Sequence, residues 1–157
     1  MPVESRGTVP PATYYELRKF YTDQLEARDR GRTQEWLDVF DDDATMTTKV
    51  LGHGSAVPKK EFEPAVWALD ESFQQKGIQR RHCVSGFTFT AGDAVVHAKF
   101  YALFLVVDAE RGAHLQSAAM IHDVLHRVGT TWRVRSREIE RDDLGRLKGQ
   151  LPSLSLG

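Results

Sequence analysis

FYALFLVVDAERGAHLQSAAMIHDVLHRVGTTWRVRSREIE, residues 100–140, decides the fold. Long runs rich in apolar and β-branched residues are broken only by Asp108 to Gly112 and by Gly129-Thr130, both with turn chemistry. The same grammar extends upstream, where Ala91-Gly92-Asp93 separates two further runs. Strands are therefore expected over 79–90, 94–107, 113–128 and 131–141.

Ahead of these strands the period changes from two to 3.6. Thr13 and Glu16 form a T-x-x-E capping box after Pro10 and Pro11, and Leu17, Phe20, Tyr21, Gln24, Leu25 and Arg28 follow at helical spacing. That helix covers 13–29 and ends before Gly31. Thr33 heads a short helix over 33–40, which buries Trp36, Leu37 and Phe40. Asp41, Asp42 and Asp43 lead into ATMTTKV, a first strand, and loop residues follow as far as Pro58. A third helix runs over 64–76, with Pro64 in its first turn and Gly77 as its stop. Three helices followed by long antiparallel strands give an α+β order, with the helices on one sheet face. Residues 12–143 are expected as one domain, with 1–11 and 145–157 as tails.

With 41% apolar and 27% charged residues the chain has ordinary globular composition, and a net charge of −1 gives no reason to expect nucleic acid or an anionic membrane as partner. Cys83 is the single cysteine, so an intramolecular disulfide and a multi-cysteine zinc site are excluded. The H-E-x-x-H motif is absent, and three consecutive aspartates cannot all point at one ion, so no metal is expected. No phosphate loop, dinucleotide fingerprint or nucleophile elbow is present, and no cofactor is expected. No run approaches the ~20 apolar residues of a membrane span, which makes the cytoplasm the expected location.

Several spaced patterns resemble one family. F-Y-x-x-Q-x-x-x-x-D-x-G (Phe20, Tyr21, Gln24, Asp29, Gly31) and W-x-x-x-F-x-x-D-A (Trp36, Phe40, Asp43, Ala44) lie early in the chain. R-R-H-x-V-S (Arg80, Arg81, His82, Val84, Ser85) and H-D-V-L-x-R…W-R-V-x-S-R (His122 to Arg137) come later. Together they are similar to SnoaL-like polyketide cyclases of the NTF2-like superfamily, relatives of scytalone dehydratase and ketosteroid isomerase. The resemblance implies a cone: three N-terminal helices on a strongly curved, mostly antiparallel sheet, with a pocket between. It puts His82 at a pocket histidine of the dehydratase and Asp123 at the acid of the isomerase's oxyanion hole. Thr48 stands where the isomerase has its catalytic base, and no histidine stands near Leu103 or Leu105, where the dehydratase has a second one. Steroid-type isomerisation is therefore not implied.

Period-two alternation groups Asp123 with Leu115, Ser117, Ala119, Ile121 and Leu125. In such a face the acid is expected either to have a raised pKa and move protons, or to pair structurally with Arg135 or Arg137. His82 suits proton transfer and would share a proton with Asp123 across the pocket. Arg137 would stabilise an enolate or brace Asp123. Gln24, Tyr21, Trp67, Thr48 and Tyr101 are the candidate substrate-binding residues, the aromatic ones being core or cavity lining. The expected function is a cofactor-independent cyclase or dehydratase acting by general acid–base catalysis on an aromatic polyketide-like intermediate of secondary metabolism. The alternative is a non-catalytic binding protein or an accessory subunit of an oxygenase or biosynthetic complex. Ala118, Met120 and Val124, on the opposite face among His114, Gln116, His122 and His126, point to a homodimer.

Overall fold

The computed structural model of the chain describes residues 7–144. Helices α1 (Pro11–Asp29), α2 (Thr33–Leu37) and α3 (Lys59–Gln75) accompany six strands. These are β1 (Phe40–Val50), β2 (Ala56–Pro58), β3 (Gln79–Ala91), β4 (Val96–Asp108), β5 (Gly112–Val128) and β6 (Thr131–Arg141). One curled sheet runs in the order β2-β1-β6-β5-β4-β3, antiparallel throughout except where β1 lies parallel to β6. The expected α+β class and its helices-then-strands order are what the chain adopts.

The core lies between the helices and the inner sheet face. Val96, Ala98, Phe100 and Ala102 alternate inward along β4, and Leu125 and Val134 join them from β5 and β6. Leu17 and Tyr21 from α1, Trp36 and Leu37 from α2, and Phe62 from α3 close over them.

Several local expectations change. The Thr13–Glu16 capping box does not form: α1 starts at Pro11 without a side-chain cap, and Glu16 instead accepts from Arg127 and Trp132. Residues 7–10, expected in a tail, lie along β3. Ala91 N–H donates to the Gly7 carbonyl, Val9 N–H donates to the Phe89 carbonyl, and Val9 is buried. The remaining tail residues, 1–6 and 145–157, lie outside the described residues. Phe40 leaves α2 to begin β1, because β6 recruits it: Phe40 pairs with Val134 and its ring meets Trp36 and Phe62 edge-on. Helix α3 begins at Lys59, ahead of Pro64, since burial of Phe62 and a Lys59 ammonium donating to the Phe40 carbonyl hold an extra turn.

Two irregularities redirect side chains. Phe104 faces Ser117 while Leu105 faces Leu115, so Gln116 is an extra residue that flips everything before it. Leu115 therefore turns outward, 53% exposed, instead of joining the Asp123 face. Tyr101 also lies on the outer face, where its ring covers Gly86; a Cβ there would sit 2.6 Å from the ring. Gly86 adopts φ +67°, so both the close approach and the backbone require glycine. Tyr101 thus fills a gap over a bulge, and its expected place in the pocket is corrected.

Candidate functional site

Four side chains converge at the centre of the concave face. Asp123 is fully buried and Tyr21, Gln24 and Arg137 nearly so. Arg137 opposes Asp123 across β5–β6. Its Nε donates to Asp123 Oδ1 at 2.8 Å and its Nη2 to Oδ2 at 2.7 Å. The Tyr21 hydroxyl donates to Oδ2 at 2.7 Å. Burial, and then the charge of Asp123, push the Tyr21 hydroxyl well above the usual phenol range, so it stays a donor. Burial opposes the charge on Arg137, but the carboxylate beside it outweighs that and raises the guanidinium above its ordinary value. Asp123 is therefore a paired carboxylate with three hydrogen bonds, not a lone acid in an apolar face. Arg135 is exposed and takes no part, because Arg135 is an extra residue between the Val124–Ser136 and Leu125–Val134 pairs.

Arg137 Nη2 also donates to Gln24 Oε1 at 3.0 Å. With its oxygen taken, Gln24 has only Nε2 to offer, and that buried amide nitrogen has no hydrogen-bond partner among the described residues. Beyond the network the same face carries Ile121, Ala119 and Ser117 on β5, and Ala102 and Phe104 on β4. Ile139 and Met46 continue it on β6 and β1. Phe104, Ser117, Ile121, Ile139 and Met46 are only half-buried although they face the helices. The floor is thus mostly apolar, with the Gln24 amide donor unpaired at one end.

His82 stands at the other end of this floor. Its ring stacks on Phe104 with centroids 4.7 Å apart. Its Nδ1 lies 2.6 Å from Asp29 Oδ1, and its backbone N–H donates to Asp29 Oδ2 at 3.0 Å. His82 and Asp123 share the concave face but do not meet. Asp123 faces Ala98 and His82 faces Phe104, six β4 positions apart, or about 20 Å of strand. The expected His82–Asp123 dyad is replaced by His82–Asp29. Asp29, the last residue of α1, was not among the candidates. An acid at a helix C-terminus is electrostatically unfavourable, and that was the available signal.

Past His82, Asp70 is nearly buried among cations. Its Oδ1 accepts from Arg28 and forms an ion pair with Arg80 Nη2 at 2.7 Å; its Oδ2 accepts from Thr33 at 2.7 Å. Burial acts to raise the Asp70 pKa, but Thr33 and Arg28 outweigh it and hold the carboxyl below its ordinary value. Burial, and then the like charge of Arg80, lower Arg28.

A cavity of about 270 Å³ lies between α3 and the start of β3, with Trp67, Phe73 and Arg80 in its wall. A cleft of about 780 Å³ opens between α1 and β3, lined by Leu25, Asp29, Arg81 and His82 among others. Trp67 thus belongs to the Arg80 cavity; Thr48 pairs with Ile139 and shares the face of the floor, but it is exposed towards the end of β1 and lines neither of these two spaces. His122 and His126 are four residues apart, but on an extended strand that is about 13 Å. Among the described residues, no group of three His, Cys, Asp or Glu side chains is arranged to hold a metal ion. Nor is any helix among them long and apolar enough to cross a membrane.

The sequence profile of the SnoaL-like domain matches residues 12–138. No curated protein matches the chain. The solved structure of Aln2 from a Streptomyces species is 28% identical, with TM-score 0.75 over 88% of this chain and 96% of that one. A Catenulispora acidiphila protein in complex with S-DNPA is 26% identical, with TM-score 0.69 over 85% and 96%. The β subunit of the benzoate 1,2-dioxygenase from Burkholderia mallei, at 14% identity, shares the fold with TM-score 0.71 over 86% and 92%.

Proposed function

The chain belongs to the SnoaL-like domain family, and from that premise we propose that it is a cytoplasmic, cofactor-independent enzyme acting on an aromatic polyketide-like intermediate. The reaction is a cyclisation or dehydration driven by proton transfer. The observation that carries this reading is the Asp29–His82 pair. With Nδ1–H committed to Asp29 and the ring stacked on Phe104, the imidazole leaves Nε2 as the proton-transferring atom. Gln24 Nε2 is the donor for a substrate oxygen, held by Arg137, which is in turn held by Asp123. Asp123 and Arg137 are positioning residues in this scheme, and the apolar floor orients the rings.

His82→Ala is expected to lower turnover of an aromatic polyketide by ~10²–10⁴-fold while S-DNPA binding stays nearly constant. Asp29→Asn lowers kcat by about 10–10²-fold at unchanged KM, a smaller share of the same effect. Full activity in both variants sinks the proposal. The second reading, a carrier or accessory subunit, is favoured by the closed Asp123–Arg137 pair, and S-DNPA binding without turnover of any polyketide selects it.

A homodimer through the outer sheet face completes the proposal. Tyr101, Leu103, Val107 and Leu115 are exposed there on β4 and β5, an apolar patch of the kind that marks an interface. Light scattering at tens of micromolar is expected to give a dimer; a monomer refutes this part.

A further inference from the structure

Arg80 is 3% exposed, and its Nη1 has no hydrogen-bond partner among the described residues. Its Nη2 is spent on Asp70, and its guanidinium carbon lies 5.2 Å from the centre of the Phe73 ring. A buried charged donor left unmade is costly, and a ligand acceptor is the natural remedy in a residue that walls a cavity. The acids around that cavity are already engaged or turned to solvent. Asp70 is held by Arg28, Arg80 and Thr33, Asp29 is held by His82, and Glu71 is exposed. Two buried guanidiniums, Arg28 and Arg80, share the Asp70 carboxylate, and Arg28 also feels Asp29; Arg80 Nη1 is the buried donor left for a ligand acceptor.

Size separates the two spaces beside His82. At about 270 Å³ the Arg80 cavity falls below the ~300–1,000 Å³ of whole-ligand pockets, while the adjoining cleft of about 780 Å³ falls within it. Asp29, Arg30 and Gln79 line both. We infer that the ligand is an aromatic carboxylic acid: its rings occupy the space at His82, and a short carboxylate arm reaches Arg80 Nη1. The inference rests on the proposed function for the site at His82 and adds the acid to the substrate class.

The test compares 1-naphthylacetate with its methyl ester by calorimetry. Wild type is expected to bind the acid at least ~10-fold tighter, the worth of one charge-assisted hydrogen bond. Arg80→Lys, which keeps a cation for Asp70 but removes the free fork, brings the ratio close to one. Equal affinities in wild type, or a ratio that survives Arg80→Lys, overturn the inference. Should Arg80→Lys not fold, NMR of wild type decides: the Arg80 guanidinium and Trp67 indole signals shift with the acid and not with the ester, and unmoved signals overturn it. His82→Ala separates the two proposals. It lowers turnover by the same ~10²–10⁴-fold but leaves the acid-to-ester ratio intact; a wild-type ratio near one beside an impaired His82→Ala defeats this inference alone, and a large ratio without any wild-type turnover defeats the enzyme alone.

Discussion

Asp123 and Asp29 are both carboxylates held against the sheet, but their partners make them different objects. Asp123 receives a two-pronged arginine plus a tyrosine hydroxyl, three of about four acceptor sites, and has no exposed surface at which a substrate could reach it. Asp29 holds one imidazole by its ring and its backbone, and that imidazole, about one-fifth exposed, borders an open cleft. The first arrangement spends an acid on rigidity; the second spends an acid on leaving a histidine nitrogen free. Family position nominates Asp123 and His82 alike, whereas burial and hydrogen bonding leave only His82 within reach of a ligand.

The comparison breaks most easily at Asp123. Asp123→Ala leaves Arg137 buried without its counter-charge, which costs about 3–5 kcal/mol. In a domain of this size that lowers Tm by on the order of 10 °C. Asp29→Ala, at a partly exposed pair, is expected to cost clearly less. Thermal melts giving equal losses would erase the distinction between the two acids.

A smaller effect concerns pH and involves Asp70. Its folded pKa lies below the ordinary 3.8, so the stability it contributes is present above that value and is lost as pH falls through the folded pKa. The slope from this one group cannot exceed ~1.4 kcal/mol per pH unit. Asp70→Asn is expected to be less stable at neutral pH and to show a flatter acid limb in urea titrations. An unchanged limb would mean that Arg28 and Arg80 do not hold the carboxylate ionised.

Much of this was legible in the chain. Turn chemistry between long β-rich runs placed β3 to β6 within a few residues, and Leu17, Tyr21 and Gln24 were correctly set on one helix stripe. Period two failed at Leu115, because nothing in S-A-A-M announces that Gln116 bulges out of register. The His82–Asp123 pairing failed because side-chain alternation tells which face a residue takes and not how far along the strand it stands. Asp29 and Asp70 carried signals of another kind. One is an acid at a helix end that repels acids, and the other is an acid in line with Phe62, Val66 and Phe73. In both places an unfavourable residue is explained only by a partner from elsewhere, the His82 imidazole for one and the Arg28 and Arg80 guanidiniums for the other.

Tyr21→Phe is the mildest change and the sharpest probe of which centre does chemistry. The ring packs between Phe87, Phe89 and Phe100, and phenylalanine retains those contacts. Only the hydroxyl is lost, and with it one of three hydrogen bonds to Asp123; both contacts from Arg137 persist. A hydrogen bond to a charged group is worth about 1.5–3 kcal/mol, and the surviving ion pair argues for the lower end. Turnover is expected to stay within about twofold, since in this scheme no proton passes through Tyr21. The high pKa of the phenol cuts both ways, because a hydroxyl that keeps its proton is equally a brace and a general acid. Kinetics settles which. A stably folded Tyr21→Phe whose kcat falls ~10²-fold would make Tyr21 the proton donor, with Asp123 and Arg137 as its support, and would move the chemistry from His82 to the buried network.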